Sequence, residues 1–304
     1  MRDKKILITG GSGFIGSRLI PQLLAAGNEI TLLSRSPIQT AQKFNQAVKV
    51  IDHLHELEQN AKFDIVINLA GQGIADKRWT HKVKQQLRDS RLKVTLSLVS
   101  YLEQLEQKPE CMISGSAIGY YGNCNNEIID ESFHQDNDHS FSQKLCIDWE
   151  REASHAETLG IRTCYLRTGI VLGPGGGALA KMLPPFKMGL GGPIGDGHQW
   201  MSWIHIDDLI GIMLYAMQHK NISGPLNGTA PNPVTNKEFS TKLGQRLNRP
   251  AFLPLPSFAV RLLMGQMGEE LLSSGQRVIP KKIMDAGYDF QFKDLENALT
   301  DVSA

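Results

Sequence analysis

Short apolar runs alternate with longer amphipathic ones through the first half of the chain. Lys4–Thr9 is an apolar run of strand length that ends at a glycine cluster. Phe14–Ala26 follows with Ile15, Leu19, Leu23 and Leu24 on one side, which predicts a helix stopped by Gly27. Glu29–Leu33, Val48–Ile51 and Phe63–Leu69 have strand character. His81–Gln107 carries helical spacing through Val83, Leu87, Val94, Leu98 and Leu102. Cys111–Ser114 then reads as a strand, Gln143–Leu159 as a helix and Ile161–Arg167 as a strand. Strands alternating with helices predict an α/β fold, with a mostly parallel sheet covered on both faces and wound by right-handed crossovers.

The pattern changes after Thr168. Gly173–Gly197 is rich in glycine and proline around one short apolar stretch, so loops are expected there. Ile206–Met217 and Asn236–Leu247 have helical spacing, and Pro250–Pro256 is an extended, proline-punctuated connector. Two further short helical patterns fall within Leu271–Ala304. The expectation is a doubly wound domain over residues 1–168, to which later segments contribute, and a smaller mixed α/β lobe over 169–304.

The chain has 304 residues, of which 41% are hydrophobic and 21% charged, a composition that excludes disordered and fibrous classes. Lys plus Arg is 32 and Asp plus Glu is 31. A net charge of +1 gives no broad footprint for nucleic acid or an anionic membrane, so any anion site must be local. Cys111, Cys124, Cys146 and Cys164 are widely spaced without a CxxC pair, and the histidines form no metal-ligand pattern. No apolar run approaches the ~18 residues of a membrane span. A first strand near Lys4 leaves no room for a signal peptide. Those features predict a cytoplasmic protein with reduced thiols and no metal.

Chemistry enters with Thr9-Gly10-Gly11-Ser12-Gly13-Phe14-Ile15-Gly16, which follows a predicted strand and opens a predicted helix. Gly10 permits a tight turn, Gly13 lets the backbone approach a pyrophosphate, and Gly16 allows close helix packing. The helix N-terminus then presents N–H groups and partial positive charge to phosphates. This is the fingerprint of a Rossmann-type dinucleotide site. An NAD site places Asp or Glu about 20 residues further on, at the end of the second strand. Here that place holds Ser34-Arg35. A hydroxyl and a guanidinium suit the 2′-phosphate of NADP(H). Asn68-Leu69-Ala70-Gly71, after the fourth strand, is small enough to run beside the adenosine half.

The chain resembles the extended and atypical short-chain dehydrogenase/reductase superfamily, and within it the "epimerase family" subgroup. The resemblance covers essentially the whole chain. It rests on Thr9–Gly16, Asn68–Gly71, Arg78–Thr80 with Ser90-Arg91, Ser114–Gly122, Leu166–Gly173, Gly189–Gly197, Trp203–Leu209, Leu253–Ser257 and Gly275–Lys282. It implies NADP(H) contacts at Gly10, Gly13, Phe14, Ile15, Ser34, Arg35, Leu69, Ala70, Arg91 and the backbone around Val171. Catalytic members of the superfamily carry Tyr-x-x-x-Lys on the helix after the fifth strand, where the lysine lowers the tyrosine pKa. This chain keeps Lys144 but has Ser140 four residues earlier. Replacement proton donors are Ser114, Ser116, Tyr120 and Tyr121, at the end of the fifth strand where open α/β sheets place ligands. Lys144 also reads as a surface lysine paired with Asp148.

Nucleotide-sugar epimerases often carry an arginine in the segment before the IHVDD strand, where it holds substrate pyrophosphate. Met201 stands there in this chain. A pocket of Pro184, Pro185, Met188, Trp200 and Met201 would suit an apolar or aromatic carbonyl compound. His205 and Asp207-Asp208 read as a strand-end contact and an N-cap.

The leading expectation is an NADP(H)-dependent oxidoreductase or isomerase acting on a small, non-nucleotide carbonyl or hydroxyl compound, with no nucleic-acid or membrane partner. It would be a monomer, or a homodimer through His81–Gln107 and Gln143–Leu159. The alternatives are a catalytically silent NADP(H)-binding sensor or assembly protein, and a nucleotide-sugar epimerase.

Overall fold

The computed structural model describes residues 2–134 and 140–302. Seven parallel strands form the central sheet: β1 (Lys5–Thr9), β2 (Glu29–Leu33), β3 (Lys49–Ile51), β4 (Ile65–Asn68), β5 (Cys111–Ala117), β7 (Arg162–Thr168) and β11 (Gly224–Gly228). Their spatial order is β3-β2-β1-β4-β5-β7-β11. The order reverses between β1 and β4, which makes the carboxyl ends of those strands the switch point where open α/β sheets bind ligands.

Apolar residues on both sides of each strand dictate two covering layers. On one face, α1 (Phe14–Ala25) and α6 (Ile206–Gln218) bury Leu19, Ile20, Leu23, Ile210 and Met213 against Ile6, Ile8 and Ile67. On the other, α3 (His81–Gln104) and α4 (Phe141–Ser154) bury Leu98, Leu102 and Ala153 against Leu7, Val66 and Met112. A short helix, α2 (Pro37–Lys43), joins β2 to β3.

Small paired elements build the rest of the molecule: β6 (Ile128–Ile129), β8 (Ile170–Leu172), β9 (Trp200–Met201), β10 (Trp203–His205), β12 (Val234–Thr235) and β13 (Arg277–Val278). Five helices accompany them: α5 (Gly177–Lys187), α7 (Asn236–Arg246), α8 (Ser257–Met264), α9 (Gln266–Leu272) and α10 (Lys281–Asp285). A last helix, α11 (Leu295–Val302), packs Leu299 and Val302 with Trp203, Phe239 and Leu243 in a separate core.

Several boundaries differ from expectation, each for a physical reason. The stretch 173–197 is not all loop, because Leu179, Met182, Leu183 and Phe186 of α5 find a tertiary core that overrides Pro184 and Pro185. β5 runs on to Ala117 because β7 beside it continues to Thr168. The helix expected over Gln143–Leu159 starts at Phe141 and ends at Ser154, followed by a tight turn at Glu157–Leu159. No helix was expected at α8 or α9. There Met264, Met267 and Leu271 pack on Trp79, Leu87, Phe141 and Leu145, so α3 and α4 stabilise the hairpin from outside it. Met201 is core rather than pocket wall, its sulfur accepting a hydrogen bond from Asn236 Nδ2 at 3.3 Å. His205, not an aspartate, caps α6, its Nδ1 accepting from the Asp207 N–H at 3.2 Å. No described helix is long and apolar enough to cross a membrane.

All four cysteines are buried thiols. Burial pushes Cys111 and Cys146 up to about 12 and Cys164 up to about 11. Thiolate is the reactive form. Iodoacetamide at mildly alkaline pH should therefore leave the folded protein unlabelled and modify all four cysteines after unfolding in urea, as read by mass spectrometry.

Candidate functional site

The site begins with backbone. Gly10 adopts φ +69°, and a Cβ there would run into the Leu69 carbonyl oxygen at the end of β4. The Gly13 N–H donates to the Gly10 carbonyl at 3.0 Å and closes the turn. A Cβ on Gly16 would lie 2.5 Å from the Gly11 carbonyl oxygen, so α1 can start this close only with glycine there. No side chain caps α1, whose N-cap is Gly13 itself, and Ser12 and Gly13 are exposed. An open helix N-terminus behind a side-chain-free loop is a fitted cradle for phosphate.

The sequence-predicted cofactor residues gather around that loop. Gly173, Gly176 and Gly177 pack on the Phe14 ring, which brings the β8–α5 loop against the start of α1. The Val171 carbonyl in β8 faces Gly177. Ile15 is half-buried against the sheet core. Ser34 shares a 2.7 Å hydrogen bond with Thr40 of α2, which turns its hydroxyl toward that helix. Arg35 is exposed and forms no ion pair among the described residues. Leu69 and Ala70 are half-buried beside Gly10. Arg91 braces the backbone that follows them, Nη2 donating to the Gln72 carbonyl at 2.9 Å and Nη1 to Leu87 at 3.1 Å.

Sequence reasoning missed Lys43. Its Nζ donates to the Ser12 carbonyl at 2.8 Å and the Ser17 hydroxyl at 2.6 Å, so a second cation stands at the glycine loop. The only available signal was α2, whose seven mostly polar residues carry too little periodicity to be read.

Behind the loop lies a buried polar ladder. Thr9 donates to Asn68 at 2.7 Å, and Asn68 donates to Thr95 at 2.8 Å and to Ser114 at 3.2 Å. Trp149 donates its indole N–H to Thr95 at 3.0 Å. Three strands and two helices are thereby fixed in register beneath the switch point. Ser114 is fully buried and committed to this ladder.

Ser116, on the same face of β5, donates to Glu150 at 2.6 Å. Glu150 takes a bidentate pair from Arg167, Nε and Nη2 each at 2.8 Å. Arg167 is only 1% exposed. Its burial works against the charge, yet the two Glu150 bonds more than offset that and hold its pKa above the usual value. Arg167 Nη1 makes no hydrogen bond among the described residues; the guanidinium lies 3.4 Å from the Tyr120 ring centre and 4.9 Å from that of Tyr121. Tyr121 donates to Asn227 at 2.7 Å, and burial pushes its phenol up to about 12. Tyr120 is half-buried, and its hydroxyl makes no hydrogen bond to described residues.

Lys144 does not join these groups. It is exposed on α4. Asp148 pairs instead with Arg88 and Arg151, each at 2.8 Å. At 100° per residue, Lys144 sits about 200° around the helix from both Ser142 and Cys146. Those two residues face the turn after β5: a Cβ on Gly119 would lie 3.4 Å from Ser142 Cβ and 3.7 Å from Cys146 Sγ. The N-terminus of α4 is capped from the C-terminal hairpin. Glu270 accepts from the Phe141 N–H at 3.1 Å, the Ser142 N–H at 2.8 Å and the Ser142 hydroxyl at 2.7 Å. A carboxylate at a helix N-terminus is favourably placed. Near β9, Trp200 donates to Asn126 at 2.9 Å and carries the Arg277 guanidinium 4.3 Å from its ring centre.

A seven-stranded parallel sheet with a glycine loop at its switch point defines a dinucleotide-binding α/β protein. The chain belongs to the NAD dependent epimerase/dehydratase family, whose model matches residues 6–227; a domain of unknown function, DUF1731, matches 255–302. It is similar to the epimerase family protein YfhF of Bacillus subtilis, 39% identical over 98% of each chain. It is also similar to the human epimerase family protein SDR39U1, 36% identical over 99% of this chain and all of that one. A crystal structure of human SDR39U1 with NADPH superimposes with a TM-score of 0.87 over 98% of this chain and 99% of that one, at 36% identity. A UDP-galactose 4-epimerase structure, 16% identical with a TM-score of 0.75, covers 98% of this chain and 97% of its own and shares the fold alone.

Removing one partner of a buried pair strands the other charge. Glu150→Ala should cost about 3–5 kcal/mol in equilibrium urea unfolding. A loss below about 1 kcal/mol, the range of exposed pairs, would show that Arg167 finds other compensation.

Proposed function

We propose that this protein binds NADP(H) and acts as an oxidoreductase or isomerase on a small carbonyl or hydroxyl compound rather than on a nucleotide sugar. One observation carries the cofactor assignment: the glycine cradle faces a β2 end that bears the unpaired Arg35 guanidinium and no carboxylate. The backbone of Gly10, Gly13, Phe14, Ile15 and Gly16 would hold the pyrophosphate, and Arg35 with nearby Lys43 the 2′-phosphate. Ser34 sets the turn, Leu69 and Ala70 flank the adenosine side, and Arg91 fixes the backbone beyond them. Val171 closes the far wall. The NADPH in the human relative's crystal structure supports this reading.

When bound, the nicotinamide cofactor supplies hydride transfer, and the protein supplies orientation and proton transfer. Of the candidate donors, Ser114, Ser116 and Tyr121 are buried and hydrogen-bonded; Lys144, the candidate for the nicotinamide ribose, is exposed on α4. Tyr120 is the half-open phenol at the end of β5 and is the proposed proton donor. Arg167 beneath its ring holds it in place. Met201, buried where nucleotide-sugar enzymes often have an arginine, favours a substrate without a pyrophosphate. A second reading, a binding protein without catalysis, is favoured by Ser140, which stands at the start of α4 where catalytic members of the superfamily carry tyrosine.

Calorimetry should find NADPH bound in preference to NADH. Charged hydrogen bonds contribute about 1.5–3 kcal/mol each, so Arg35→Ala should weaken NADPH about tenfold or more and leave NADH unchanged. A preference that survives removes Arg35 from the site. Across ketones, quinones and aldehydes, Tyr120→Phe should lower kcat about 100-fold, the lower range for general acid catalysis, without changing NADPH affinity. Undiminished turnover would exclude Tyr120, whereas tight NADPH binding with no turnover on any compound would favour the second reading.

A further inference from the structure

The near-neutral total charge conceals a local imbalance. Residues 177–195 contain two lysines and no acid, and residues 239–268 contain four cations and no acid. The fold zips these two stretches together. The Leu255 N–H donates to Pro193 at 2.8 Å, Gly195 N–H to Leu255 at 2.9 Å, and Arg249 Nε to the Lys187 carbonyl at 3.0 Å. α8 continues directly from this ribbon, its Ser257 against Gly195.

The ribbon and α8 together hold most of the large apolar side chains left exposed on the molecule. Phe252, Phe258, Leu262 and Leu263 are 78%, 74%, 72% and 65% exposed, and Met188 and Leu190 extend the same strip. α8 buries only Val260 and turns Phe258 and Leu262, one helical turn apart, outward. An apolar strip of this extent marks an interaction surface rather than ordinary surface scatter. Its ionic rim indicates what it meets. Lys187 and Arg249 at one end and Arg78, beside Gly265 at the other, are exposed without an ion pair among the described residues. The carboxylates that flank the two segments are already engaged, Asp196 with the His198 N–H at 3.0 Å, Glu238 with Lys242 at 2.9 Å, Glu269 with Arg261 at 3.1 Å and Glu270 in the α4 cap.

We infer that this face docks on an anionic phospholipid bilayer. Phe252, Phe258, Leu262 and Leu263 would enter the acyl boundary, with Lys187, Arg249 and Arg78 at the headgroups. Short amphipathic segments with aromatic and leucine residues on one side and cations at the rim bind in the plane of an anionic interface without spanning it. The assignment does not depend on the cofactor or on catalysis. It places a membrane beside a chain whose overall charge gives no such footprint.

The experiment is vesicle flotation of the full chain, with phosphatidylglycerol-containing vesicles against pure phosphatidylcholine. Binding is expected only to the anionic vesicles and should fall as salt is raised. Phe258→Ser with Leu262→Ser, and separately Lys187→Gln with Arg78→Gln, should each reduce the bound fraction about tenfold or more while leaving the melting temperature unchanged. No flotation on anionic vesicles overturns the proposal, as does flotation that ignores both pairs of substitutions. A concentration-dependent dimer abolished by the Phe258/Leu262 pair, with no vesicle binding, would assign the face to a second copy of the chain and equally overturn it.

Discussion

The constraint on which the site depends is the approach of Gly10 to the Leu69 carbonyl, where the turn after β1 presses on the end of β4. Two adjacent parallel strands send their chains in opposite directions at this point, and the crevice between them exists only while no side chain fills it. Gly10 meets that need with a left-handed backbone, and Gly16 lets α1 begin almost in contact with the same turn. An uncapped helix end, two cations and the β8 loop are then all organised around a gap made of backbone.

Beneath the gap the protein commits buried polar groups that a purely apolar core would not need. The Thr9–Asn68–Ser114 ladder and the Arg167–Glu150–Ser116 group link neighbouring strands to α3 and α4, and nearly every donor in them has a partner. Such networks are costly when half-satisfied and rigidifying when complete. One consequence is functional. The serines that a strand-end reading offers as proton donors are already bonded inside the scaffold, whereas the half-buried Tyr120, stacked on the Arg167 guanidinium, makes no hydroxyl hydrogen bond to described residues. The same economy extends to α4, where Glu270 of the C-terminal hairpin satisfies the helix N-terminus and binds the family-specific segment to the dinucleotide-binding half.

The glycine loop, the strand–helix alternation of the first half and the identity of Ser34-Arg35 were legible because each is local: a period, a spacing or a residue type carries the meaning. The surroundings of Lys144 were not legible, for the opposite reason. Its register four residues after Ser140 is correct as a count, but a helix turns 100° per residue, and which side faces the sheet depends on packing partners. Buried Ser142, Cys146 and Trp149 claim the packed face, and Lys144 is exposed. α5 and the α8–α9 hairpin escaped notice because their apolar residues are stabilised by distant contacts and carry prolines and glycines that locally argue for loop.

What the chain by itself determined is therefore the nucleotide cradle, its missing carboxylate, and the alternation that builds a parallel sheet, since these follow from backbone freedom, charge and periodicity within a few residues. Tertiary structure alone decided which hydroxyls are free, that Lys43 reaches the glycine loop, and that two acid-free segments far apart in sequence lie side by side. Those outcomes depend on burial and on contacts between residues far apart in the chain, such as Tyr121 to Asn227, 106 residues on, and no local pattern encodes them.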